Sequence, residues 1–228
     1  FAHGDIIMVG AYALYFSISV LGLPVPIALL ITVIICGVLG VMIEKVAYKP
    51  LRSAPPLAVL ITAIGMSFFL QSTSLLIFGS TPIPFQSVIP NVNISIGPVV
   101  ISSITVVTLI VTAIAMILLT LFVNKTKLGS AMRAVSEDKG AAELMGINVN
   151  STISMTFAIG SALAAVAGVL YICQYQSMKP TLGALPGIKA FVAAVLGGIG
   201  SIPGAMIGGI DNDAVAGAEA LLDLIDDL

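Results

Sequence analysis

The chain is written in long apolar runs, broken at a few places by charge. Between Asp5 and Glu44 lie 38 uncharged residues, between Arg52 and Lys125 lie 72, between Glu143 and Lys179 lie 35, and between Lys189 and Asp211 lie 21. A membrane-crossing helix takes roughly 20 apolar residues, so each interval has room for one to three crossings. Glycine and proline cut the runs into helix-sized pieces. "LGLPVP" (Leu21–Pro26) divides the first run into spans near 6–22 and 25–44. The longest run breaks at the uncharged, proline-rich stretch 79–98, which leaves spans near 57–78 and 98–123; two more follow near 152–174 and 188–210. Open strands are excluded in hydrocarbon, where each unpaired backbone group costs several kcal/mol. A lipid-facing barrel would show segments of about ten residues with alternating polarity, and these runs are uniformly apolar instead. The pattern predicts an all-α polytopic membrane protein of about six transmembrane helices, with a transmembrane domain over residues 1–210.

Composition sharpens this. The chain is 58% hydrophobic and 9% charged, whereas a soluble domain carries about 25% charged residues. The net charge of −2 conceals a polarised chain: residues 1–210 hold nine basic and five acidic groups, residues 211–228 six acidic groups and no basic one. The tail 211–228 reads as an acidic amphipathic helix too short to span. Lys45, Lys49 and Arg52 follow the second span, and Lys125, Lys127, Arg133 and Lys139 follow the fourth. Only Lys179 and Lys189 fall toward the other side. The lysine and arginine bias therefore places 45–56 and 124–151 in the cytoplasm and 79–97 outside.

The loop 124–151 gathers charge in a chain that avoids it, with five charged residues in "RAVSEDKGAAELMGIN" (Arg133–Asn148). Ser130 is positioned to cap a short helix, Glu137, Lys139 and Glu143 have the spacing of ion pairs along it, and Gly146 suits a left-handed stop. A polar helix between two spans lies along the bilayer surface, within reach of a soluble partner. The alternative is a solvated turn that only satisfies the positive-inside bias.

Further along, Gly200, Gly204 and Gly208 recur at spacing four in "VLGGIGSIPGAMIGG" (Val195–Gly209). They predict either a smooth face for close helix packing or, through Gly197, Gly198, Gly200, Pro203 and Gly204, a helix break whose backbone lines a pathway. His3 and Asp5 stand at the start of the first span, Asp5 as the cap of a helix from Ile6, or both as part of a gate. Hydroxyl and amide side chains form belts in the third span (Gln71, Ser72, Thr73, Ser74) and the fourth (Ser102, Ser103, Thr105, Thr108, Thr112). No ionised group is expected in mid-span, which weighs against a proton- or sodium-coupled carrier. His3 is the sole histidine, and Cys36 and Cys173 both fall in apolar runs, so no metal site, cofactor or disulfide is expected. No G-x-x-x-x-G-K-[ST] phosphate loop occurs, so this chain has no such cradle for ATP.

"AAELMG" (Ala141–Gly146) resembles the conserved loop of ABC importer permeases, although Gly140 stands where that loop usually has Glu. "FAHGD" (Phe1–Asp5), "MRAVSEDKGAAELMGIN" (Met132–Asn148), "FAIGSALAAVAGVLY" (Phe157–Tyr171) and "GIKAFVAAVLGGIGSIPGAMIGG" (Gly187–Gly209) together are similar to the branched-chain amino-acid ABC transporter permeases, in particular the leucine/isoleucine/valine branch. The resemblance covers about residues 1–210 and stops at Asp211, so the chain is expected to be a fragment lacking an N-terminal span and bearing an atypical acidic end. It implies a transport subunit rather than an enzyme, in a bacterial inner membrane. It further implies ATP-binding cassette subunits at the cytoplasmic loop, a second permease subunit and an external substrate-binding protein. Arg133, Glu137, Asp138, Ala141, Ala142 and Gly146 would then form the ATPase-coupling loop, its small residues seating in a groove of the partner. Other substrates (urea, amides, other amino acids) stay open, as do an autonomous carrier or channel and a non-transporting assembly protein. Co-purifying ATPases, flux without ATP, or neither would separate these three.

Overall fold

The computed structural model describes residues 2–52, 54–88, 93–96, 99–198, 200, 202 and 204–209. The tail 211–228 and Pro203, both singled out in the sequence, lie outside the described residues. Among the described residues, five helices are long and apolar enough to cross a membrane. Helix α1 (Ala2–Tyr15) widens into a π-helical turn over Phe16–Val20. Helix α2 (Val25–Ile43) does the same over Glu44–Tyr48 and closes with a 3-10 turn, Lys49–Leu51. Helix α3 covers Pro56–Phe78, α4 Ser103–Lys125 and α7 Val149–Tyr175. Two short helices, α5 (Lys127–Glu137) and α6 (Lys139–Leu144), join α4 to α7.

Local chemistry sets these boundaries. Proline occupies the first turn of α2 and of α3, where its missing N–H is no loss. The expected fourth span was to begin near residue 98, but residues 99–102 form the second strand of a hairpin, β2 (Asn93–Ile96) with β3 (Val99–Ser102), in register Asn93↔Ser102 to Ile96↔Val99. The Ser102 hydroxyl then accepts from the Ile104 N–H and starts α4. A second small ribbon pairs β1 (Ile83–Pro84) with β4 (Ser177–Met178) and ties the loop after α3 to the end of α7.

The core is the contact of α1 with α2 and α7. Ile6, Met8, Ala11, Tyr12 and Leu14 of α1 are buried between Cys36 and Ile43 of α2 on one side and Ala164, Ala165, Val169 and Ile172 of α7 on the other. Both cysteines are free and buried. Lipid is as apolar as leucine, so close packing of small side chains drives this association. Helix α3 meets α1 through Tyr12 stacked on Phe78, ring centroids 4.1 Å apart. Helix α4 stands at the edge with Leu109, Ile110, Ile114, Ile117, Leu118 and Leu121 exposed.

The expected sixth span differs. Helix α8 runs only from Ala184 to Leu196, 13 residues, or about 20 Å at 1.5 Å per residue. It stops at Gly197; Gly198 and Gly200 have φ of +86° and +99°, and helical structure resumes at 204–209. The second piece folds back along the first: a Cβ on Gly197 would collide with the Gly204 carbonyl, and one on Gly208 with the Ala193 carbonyl. A continuous face over Gly200, Gly204 and Gly208 therefore does not form, because the left-handed backbone at Gly198 and Gly200 keeps Gly200 out of the helical piece that carries Gly204 and Gly208.

Candidate functional sites at the charged end and in mid-span

The loop between α4 and α7 is a structured pair of helices. The Thr126 hydroxyl accepts from the Gly129 N–H (3.0 Å) and caps α5, with Ser130 inside that helix rather than at its cap. The Asp138 carboxylate accepts from Gly140 N–H (2.7 Å) and Ala141 N–H (3.1 Å) and caps α6. Asn148 caps α7 through the Ser151 N–H (3.0 Å). Glu137, Lys139 and Glu143 lie exposed and make no ion pair with one another, since Asp138 breaks the helix between the first and the other two. Arg133 reaches back to Asn124. Gly146 takes φ +79° just past α6.

Ala142 is buried against Val135 and Val149, so it holds α6 onto α5 and α7 of its own chain. It is not free to seat in a partner, as the sequence suggested; Ala141 beside it is exposed. Beside its exposed charges the loop offers two large apolar side chains outward: Leu144 is 90% exposed and Met145 83%. Sequence reasoning passed over both, because two apolar residues at the end of a short helix look like its buried side.

Beneath this loop, Glu44 is fully buried in the π-helical turn of α2. Its carboxylate forms an ion pair with Arg52 and accepts from the Ser154 hydroxyl of α7 (2.6 Å). Arg52 also donates to Asn150 in the first turn of α7. The four groups clamp the charged ends of α2 and α7 together, immediately after the loop helices.

In mid-span, Asp5 is buried inside the first turn of α1, which begins at Ala2, so it caps no helix. Its carboxylate accepts from the Ser67 hydroxyl and from Gln71 Nε2 (2.9 Å), both on α3. Ser67 stands midway along α3 (Pro56–Phe78), so a carboxylate does occupy mid-span, against the sequence expectation. His3 is exposed beside Phe157 of α7, ring centroids 6.0 Å apart. The structure does not bring His3 to Asp5's partners. Gly4, between them, packs directly on Gly183, where a Cβ on either would strike the other's backbone. This holds the start of α8 at the level of Asp5.

The family model for the branched-chain amino acid transport system / permease component matches residues 1–211. The chain belongs to this family. The permease is 45% identical over 222 residues to the high-affinity branched-chain amino acid transport system permease protein BraD of Pseudomonas aeruginosa, covering 92% of this chain and 72% of the relative. It is 43% identical over 225 residues to LivH of Escherichia coli K12, with the same coverage. A shorter likeness, 32% over 107 residues, reaches the fructose import permease protein FrcC of Rhizobium meliloti, covering 44% of this chain and 30% of that one. No solved structure matches.

Proposed function

We propose that this permease forms part of the membrane pathway of an importer for branched-chain amino acids in a bacterial inner membrane. ATP-binding cassette subunits drive it from the side of loop 124–151, a second permease subunit completes the pathway, and an external binding protein delivers the amino acid. The substrate comes from the relatives' names. The observation that carries the coupling role is the pair Leu144 and Met145, almost wholly exposed at the end of α6, one of the two loop helices between α4 and α7. An apolar tip at the water-facing end is a docking knob. ATP-driven movement of a partner gripping it passes through Ala142 to α7, and through the Glu44–Arg52–Asn150–Ser154 clamp to α2. Asp5, with Ser67 and Gln71, then serves as a polar hinge between α1 and α3, and the glycine break after Leu196 lets the α8 hairpin shift against α1.

The test is the ATPase rate of the complete complex in nanodiscs with leucine-loaded binding protein, native against Leu144→Asp/Met145→Asp. Stimulation in the native complex and at least about tenfold weaker stimulation in the folded variant are expected, for a loss of about 1.4 kcal/mol or more of docking energy. Equal stimulation in both sinks the docking role of the tip. A complex that responds to urea or amides and not to leucine, isoleucine or valine sinks the substrate.

A further inference from the structure

A cavity of about 660 Å³ opens between α4, α7 and α8. Features from three separate helices converge on it. Thr105, Thr108 and Thr112, three of the hydroxyl residues of α4, put one face of that helix along it. Tyr171, Gln174 and Tyr175 line it from the last turns of α7, the two tyrosine rings 4.4 Å apart. Lys189 enters it from within α8. A lysine within an apolar helix faces a polar cavity or a partner rather than lipid, because hydrocarbon disfavours its charge. The remaining wall is aliphatic, with Leu109, Leu170 and Leu185. Volumes of about 300–1,000 Å³ with an apolar wall and a few convergent polar groups characterise small-molecule sites. The groove lies toward the ends of α4 and α7 away from the charged loop, the side from which an external protein would deliver cargo.

We infer that this groove receives the translocated amino acid, with Lys189 taking its carboxylate and Leu109, Leu170 and Leu185 its aliphatic side chain. The ammonium meets the Tyr171 and Tyr175 ring faces and the Gln174 side-chain oxygen, in a lining that holds no acid among the described residues. One lysine and no acid select for a carboxylate end, and an aliphatic wall selects against polar side chains. The assignment rests on the importer reading above and names the site it uses.

The test places a reporter thiol in the groove. Thr112→Cys, or Thr105→Cys should the first assemble poorly, is introduced into the full complex in nanodiscs of phosphatidylethanolamine and phosphatidylglycerol. The native thiols Cys36 and Cys173 are buried and serve as the silent background. Leucine at about ten times its dissociation constant is expected to slow modification from the external side about tenfold. Leucinamide, which lacks the carboxylate, gives no protection; Lys189→Gln removes the protection by leucine and Lys189→Arg keeps it. A reactive thiol that leucine never protects, in a complex that takes up leucine, overturns the groove and leaves the importer reading standing. Protection that follows the lipid composition and ignores leucine makes it a lipid headgroup site and overturns it equally. A thiol that never reacts puts the groove beneath a neighbouring subunit and also overturns it. A native complex that takes up no leucine at all brings down both readings.

Discussion

Helices α4 and α7 teach more side by side than either does alone. Both are long enough to span, 23 and 27 residues, and α4 is the more apolar; yet α4 buries Ile104 alone, whereas α7 buries nine residues from Val149 to Cys173. In water the greasier helix would go inside. In lipid that drive disappears, and small side chains that let backbones approach decide the matter. Helix α7 offers Gly160, Ser161, Ala164, Ala165 and Gly168, and α1 and α2 close on that face, with Gly40 against Ser161 and Gly10 against Ala165. Helix α4 has no glycine, and its leucines and isoleucines face outward. Polar ties follow the same division. Glu44 bonds α7 to α2, whereas the side-chain hydrogen bond of Thr108 returns to α4's own Ile104 carbonyl.

The sharpest way to break this contrast is Gly168→Leu. Its Cβ would meet the Ile7 carbonyl, and α1 has nowhere to retreat. A loss of about 3 kcal/mol or more is expected, seen as a lower unfolding midpoint in mixed micelles. Retention of native stability would show that the α1–α7 contact is not the core. Next in size is Glu44→Ala, which leaves Arg52 without its ion-pair partner while that side chain is 21% exposed. Solvent screens part of the loss, so about 2 kcal/mol is expected in the same titration, with Glu44→Gln recovering some of it. The smallest effect belongs to α4: Ile114→Ala, at a site 51% exposed, should change stability by less than about 0.5 kcal/mol. A larger cost there would mean that α4 is covered by a neighbouring chain, and the comparison would then describe the lone subunit only.

Much of the architecture was legible because membrane spans are announced locally. Proline and glycine mark the breaks at 21–26 and 79–98, and the five long helices fall between them. The sixth misled because periodic glycines read equally well as a packing face or as a break, and only the backbone at Gly198 and Gly200 separates the two. The charged loop was legible as a loop with helix formers and a stop at Gly146, although its caps are Thr126 and Asp138 rather than Ser130. Its outward face was not, since whether Ala142 or Leu144 turns inward depends on Val135 and Val149, which belong to other helices. Partnerships at long range left no trace in a single sequence. Glu44 and Ser154 are 110 residues apart, and Asp5 and Ser67 are 62 apart. Asp5 was read as a cap because the nearest apolar run begins just after it, whereas the helix had already started.

The folded-back end of α8 also changes the arithmetic of sidedness. Six full crossings would carry residue 209 to the face opposite the β1–β4 ribbon. A hairpin that turns at Gly197–Gly200 is instead a visit without a crossing, and residue 209 is travelling back toward the ribbon's face. Parity, more than length, therefore sets which compartment this part of the permease addresses, and the left-handed backbone at Gly198 and Gly200 decides the parity.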